Sequence, residues 1–198
     1  FFFLFGILVP KPFLDGLKVF EFRRLSLFFN VSDDVIVKEL KEFIAKYQLW
    51  INQQREIINK ESVEHRIGDC NLDQCQKDCT RMAENVDLLL ANNSTNIESF
   101  RLMNSAMFIQ LWHSQKSTND IIDCDFYKTV DDRLFGNTSA AWRPFQLAFI
   151  LLNLDGIIQR NDDPDWKSRN ELVDLVWFPT GGGKTEAYLG IIALSDSA

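Results

Sequence analysis

Between Leu172 and Leu194 the chain passes from apolar to glycine-rich and back to apolar, and no other stretch limits its folding and chemistry as tightly. Leu172-Val173-Asp174-Leu175-Val176-Trp177-Phe178 is a short apolar run that predicts a strand. It leads into Pro179-Thr180-Gly181-Gly182-Gly183-Lys184-Thr185, and Glu186-Ala187-Tyr188-Leu189-Gly190-Ile191-Ile192-Ala193-Leu194 then predicts a helix. Strand, glycine loop and helix start, in that order, make a phosphate-binding loop. Glycines let backbone N–H groups approach a polyphosphate closely and permit positive φ. The helix adds its free N–H groups and the positive end of its dipole. Lys184 supplies a full charge for the β- and γ-phosphates, and the Thr185 hydroxyl is placed to ligate Mg²⁺.

Three glycines alone would read more readily as a turn. Their placement between an apolar run and a Lys-Thr pair that opens a helix turns the reading toward a nucleotide site. One position departs from the general pattern G-x-x-x-x-G-K-[ST], because Phe178 stands where that pattern has its first glycine.

Pro179-Thr180-Gly181-Gly182-Gly183-Lys184-Thr185 resembles motif I of superfamily 2 helicases and translocases. Upstream, Trp142-Arg143-Pro144-Phe145-Gln146 is similar to the Arg-Pro-aromatic-Gln element that precedes motif I in many of these motors. That resemblance implies that Gln146 contacts the adenine edge and that Phe145 supports the base. The chemistry agrees, since a glutamine amide offers both a donor and an acceptor, and Pro144 suits a helix start that leaves Gln146 in the first turn. On its own, Gln146 would read as a surface residue of an amphipathic helix.

The likeness narrows further. The stretches Trp142 to Leu154 and Val173 to Gly190 resemble the helicase-domain protein of bacterial DISARM anti-phage systems. Tyr47-Gln48-Leu49-Trp50-Ile51, Cys75 to Met82 and Ser99 to Met107 are similar to the region before the motor in that family. The resemblance covers roughly Leu25 to Leu194 and does not extend to Phe1–Arg24. It implies an α/β protein, with a mainly helical N-terminal region followed by the beginning of a RecA-like P-loop NTPase domain. It also implies an ATP-dependent motor acting on phage DNA, using ATP and Mg²⁺, alongside other defence-system proteins. The implied site is Phe145, Gln146, Thr180, Gly181, Gly182, Gly183, Lys184 and Thr185, with Lys184 as the catalytic residue and Thr185 on the metal.

A hydrophobic share of 46% over 198 residues is enough for a real core. The missing initiator methionine and the stop at Ala198 within a predicted helix lead us to expect a fragment. The acidic motif and arginine finger expected later in a helicase core do not occur in the sequence, so hydrolysis by this piece alone is not expected. A net charge of −7 argues against a broad nucleic-acid footprint. Phe1 to Val9 is apolar but breaks at Pro10-Lys11-Pro12, short of the about 20 residues a membrane span needs. It lacks the basic start and small-residue cleavage site of a signal peptide. An edge strand or a ragged end is expected there, and a cytoplasmic location for the chain.

Four cysteines, Cys70, Cys75, Cys79 and Cys124, lie near His65 but lack the paired spacing of a zinc site. Cys75 and Cys79 share a helical face with Leu72, Met82 and Val86, which predicts buried thiols. Alternating Leu25, Leu27, Phe29 and Val31 predict a half-buried strand. Ser32 with Asp33 and Asp34 predicts a helix start, and Ile36, Leu40, Phe43, Ile44, Tyr47, Trp50 and Ile51 form its apolar face, continuing to Ile57 and Ile58. A second helix is expected from about Leu72 to Leu90, and Thr95 with Glu98 opens a third through Leu111. The acids Asp123, Asp125, Asp131 and Asp132 read as a solvated loop. An amphipathic segment from about Ala141 to Ile158 and a surface linker over 159–170 complete the pattern. The expected organisation is thus an apolar segment over 1–31, a helical region over 32–115, a polar linker over 116–138 and the start of the ATPase domain over 139–198. Two other readings fit less of the sequence. One is a kinase-like phosphate-loop enzyme, and the other is a helical interaction module or remnant whose loop binds nothing.

Overall fold

In the computed structural model, residues 2–3, 17–60, 65–91, 95–115, 141–158, 174–175 and 183–197 are described. Their order is β1 (Phe2–Phe3), α1 (Phe22–Leu25), α2 (Asp33–Lys60), α3 (His65–Leu88), α4 (Thr95–Gln115), α5 (Pro144–Ile157), β2 (Asp174–Leu175) and α6 (Lys184–Ser197). The α/β expectation with a RecA-like sheet is overturned. Among the described residues the architecture is helical, and extended structure is limited to a parallel pairing of Phe2 with Asp174 and Phe3 with Leu175. Two residues a side cannot form the sheet of such a domain, and helix-on-helix burial carries the core instead.

The amphipathic stripe of α2 buries Ile36, Val37, Leu40, Phe43, Ile44, Tyr47 and Ile51. Trp50 is half-buried and stacks on Tyr47 at 5.9 Å between centroids, whereas Ile57 lies in solvent. Asp33 and Asp34 sit in the first turn, where they favour the positive end of the helix. Helix α3 packs against α2 through Leu72, Cys75, Cys79, Met82 and Val86. It begins at His65, several residues before the start expected from its apolar positions. Its C-terminal carbonyl at Leu88 accepts from the Asn96 amide at 2.7 Å, which satisfies a group left without a partner inside the helix.

The predicted strand from Leu25 to Val31 does not form. Leu25 ends α1 and is fully buried, Leu27 is exposed, and the chain turns compactly before α2. The cause lies in α4. The Arg101 guanidinium donates to the carbonyls of Ser26 at 2.9 Å, Phe29 at 3.0 Å and Val31 at 2.9 Å, and to Asp33 Oδ1 at 2.7 Å. One fork of donors gathers these carbonyls from a stretch that would otherwise extend.

Helix α5 differs from the amphipathic segment expected over 141–158. Ten of its residues are buried, from Phe145 to Leu152 with Leu154 and Asp155. It lies between α3 and α6, and so is apolar on nearly all sides. Its polar exceptions are matched. Asp155 pairs with Arg81 of α3 at 3.1 Å, and the Asn85 amide donates to the carbonyls of Leu151 at 2.9 Å and Leu152 at 3.2 Å. Helix α6 packs on both α4 and α5, and its last turn is held by the Ser99 hydroxyl donating to the Ser197 carbonyl at 2.6 Å.

Cys75 and Cys79 are buried as their spacing predicts, whereas Cys70 is exposed. Cys124 lies outside the described residues, as do the acids from Asp123 to Asp132 and the 159–170 linker. Burial, with a contribution from nearby Asp78, pushes the Cys79 thiol up to about 11, and burial also raises Cys75. The Tyr47 hydroxyl, raised by the same burial, sits beside the Cys75 thiol. The folded state therefore keeps these thiols neutral where an unfolded chain ionises them. The stabilising contribution of Cys79 is complete below pH 9 and is lost as pH rises toward about 11. The melting temperature should fall above pH 9, and Cys79→Ala should flatten that fall. A pH-independent melting temperature across this window would contradict it.

Candidate nucleotide-binding site

The described part of the glycine loop is its end. Gly183 has φ +85°, in the region that favours glycine, and Lys184 begins α6 directly after it. Thr180, Gly181 and Gly182 lie outside the described residues. Lys184 is half-buried and Thr185 is exposed, both on the first turn of α6. There the free N–H groups and the positive end of the helix converge.

Gln146 lies at the third position of α5, which starts on Pro144 after Arg143. Its Oε1 accepts from the Arg143 backbone N–H at 2.7 Å, the reciprocal half of a capping box. Its Nε2 donates to the Gly183 carbonyl at 2.6 Å. The two motifs singled out in the sequence, 37 residues apart, therefore meet in one hydrogen bond. Gln146 is 4% exposed and braces the loop from inside. Phe145 is also buried. With Phe149 and Ala187 it forms a small apolar cluster between α5 and α6, and Phe149 meets Tyr188 edge-on at 5.7 Å. The ring of Phe145 thus packs on the helix behind the loop.

Gly183 has no room for a side chain. A Cβ there would lie 2.7 Å from Gln146 Nε2 and 3.1 Å from Glu186 Oε2. Gly183→Ala should cost about 1–2 kcal/mol from the left-handed backbone alone, with displacement of Gln146 in addition. Thermal denaturation reads this directly, and a loss under about 0.5 kcal/mol would contradict the tight approach.

Sequence reasoning did not find the residues that hold α5 and α6 in register. Asn85, Asn104, Asp155 and Ser99 are buried polar side chains on apolar helix faces. That placement was the available signal, since a polar residue at a core position needs a partner. Among the described residues no group of three or more His, Cys, Asp or Glu is arranged to hold a metal ion. No described helix is long and apolar enough to cross a membrane.

No protein-family model matches the chain. Over 162 residues, 79% of this chain, the sequence is 40% identical to a protein of Bacillus paralicheniformis called DISARM protein DrmA. The chain is related to DrmA. It spans 13% of the DrmA length, so the relationship concerns one segment of a much longer protein.

Proposed function

We propose that this chain is the ATP-binding segment of a DrmA-like protein. The whole protein would act as an ATP-dependent DNA helicase or translocase in defence against phage, in the cytoplasm and together with other defence-system proteins. The hydrogen bond from Gln146 Nε2 to the Gly183 carbonyl carries this reading, because it joins the adenine-type and phosphate-type motifs at one place. The relationship to DrmA supports the defence context.

The proposed roles follow from chemistry. Backbone N–H groups of Thr180, Gly181, Gly182 and Gly183 cradle the phosphates, and Lys184 adds charge at the β- and γ-positions. Thr185 offers its hydroxyl to Mg²⁺. After its two intramolecular bonds Gln146 retains one N–H and one lone pair for the adenine edge. Phe145 supports it from behind through Ala187. The net charge of −7 on this segment leaves DNA contact to other parts of the whole protein.

Photolabelling with 8-azido-ATP tests both ligand and location. Label should enter peptides containing Trp142 to Ile158 and Lys184 to Ser197, with ATP competing and GTP competing poorly. Label elsewhere, or equal competition by GTP, would overturn the assignment.

A further inference from the structure

We propose that Trp142 is a positioning residue for the nucleotide site, through which the N-terminal helices set the placement of the helix that carries Lys184. The proposal rests on the nucleotide reading above and adds a route by which that site is regulated.

Trp142 is 2% exposed and is fixed from three directions. Its backbone N–H donates to the Phe20 carbonyl at 2.7 Å. Its indole Nε1 donates to Asn104 Oδ1 of α4 at 2.8 Å, and its ring meets Phe22 edge-on at 4.5 Å between centroids. Asn104 is itself fully buried, and its amide donates to the Phe100 carbonyl at 2.8 Å. That donation commits its oxygen to the indole. The ring therefore has little freedom to move.

The far edge of this ring bears on the middle of α6. A Cβ at Gly190 would lie 2.9 Å from Trp142 Cη2, 3.4 Å from Cζ2 and 3.1 Å from Ile150 Cδ1. Alanine would be the better helix former at an interior helix position. The close approach of a fixed ring accounts for glycine there, while the Ile150 methyl is a flexible end that can give way. Helix α6 is thus held at three heights: Gln146 on Gly183, Trp142 against Gly190, and Ser99 on the Ser197 carbonyl. Two of these holds trace to α4, through Asn104 and Ser99. Packed interiors transmit displacement instead of absorbing it. A shift of α4 therefore moves Trp142, and with it the helix whose first turn presents Lys184. A misplacement of about 1 Å in a positioning group is enough to matter at such a site.

The test uses Gly190→Ala and Gly190→Ala/Trp142→Phe in the whole chain. The readouts are the affinity for a fluorescent ATP analogue with Mg²⁺, the melting temperature, and nucleotide-free amide exchange at Tyr188 to Ile191, which closes the first turns of α6. Gly190→Ala should bind the analogue roughly tenfold more weakly and exchange these amides faster. In the double variant the shorter phenylalanine ring clears the new methyl, so affinity and exchange should return toward those of the unaltered chain. A role in stability alone would lower the melting temperature and leave the affinity of the folded protein unchanged, which would overturn the proposal. If the unaltered chain binds no nucleotide, the ATP reading fails. The exchange comparison then decides the positioning role by itself: faster exchange rescued in the double variant supports it, and unchanged exchange refutes it. Should Gly190→Ala fail to fold, Trp142→Phe alone gives the same readouts. Its shorter ring leaves a gap at Gly190 that the alanine methyl fills in the double variant, so unchanged affinity and exchange in Trp142→Phe would equally refute the proposal.

Discussion

Arg101→Leu should lower the stability of this chain by about 3 kcal/mol or more, the largest loss expected from a single substitution outside the apolar core. The arginine side chain is 11% exposed and serves four acceptors at once, three of them backbone carbonyls between α1 and α2. Leucine would fill much of the volume but leave those carbonyls and Asp33 without their donor. The turn from Ser26 to Val31 would then lose the contact that shapes it. Leu27 is also tied to α4, its N–H donating to the Ser105 hydroxyl at 3.0 Å, so the loosening would spread along that helix. For a chain of this size the loss corresponds to a fall in melting temperature of roughly 10 °C. Arg101→Lys should fall between the two, because one ammonium cannot span the acceptors that a planar fork reaches. Circular dichroism melts of the three proteins would show this order. A leucine variant within about 0.5 kcal/mol of the original would contradict the role assigned to Arg101.

Arg101 also explains one limit of the sequence. The alternation of Leu25, Leu27, Phe29 and Val31 is a fair strand signal, yet it is overridden by a guanidinium about 70 residues away. Periodicity describes how a segment would bury itself against a generic surface and says nothing of a distant donor. It succeeded where local pattern and packing agree. The stripe from Ile36 to Ile51 and the face shared by Leu72, Cys75, Cys79 and Met82 are buried as their spacing requires. It was less informative for α5, since a helix surrounded on all sides has no polar face to set its period. The RecA-like sheet was expected from the family resemblance over roughly Leu25 to Leu194. The described residues bury their apolar faces helix against helix, with extended structure only in the short pairing of β1 and β2.

The candidate site was legible in part. Gln146 and the glycine loop were marked by residue type and order, and the structure brings Gln146 against Gly183. That both heads of the Gln146 amide are already engaged, and that Phe145 faces Ala187, could not be read from spacing. The same holds for Trp142, Asn104 and Gly190. Their meaning depends on three helices converging, and each looks ordinary in its own segment.

Lys184 carries the second large expectation. On the proposed reading, the lysine at the first turn of α6 faces the triphosphate with the loop N–H groups and adds a full charge there. Truncating one partner of such a charge-assisted contact costs about 2–5 kcal/mol in binding, or on the order of 100-fold in affinity. Lys184 is half-buried on the surface of α6, so its removal should leave the helical core intact. Equilibrium titration of the chain and of Lys184→Ala with Mg²⁺-ATP, with melting temperatures recorded alongside, isolates the point. Saturable binding by the original chain, weakened about 100-fold in a variant that melts at nearly the same temperature, is the expected result. Equal affinity in the two proteins, or no binding by the original chain, would contradict an ATP site at this loop.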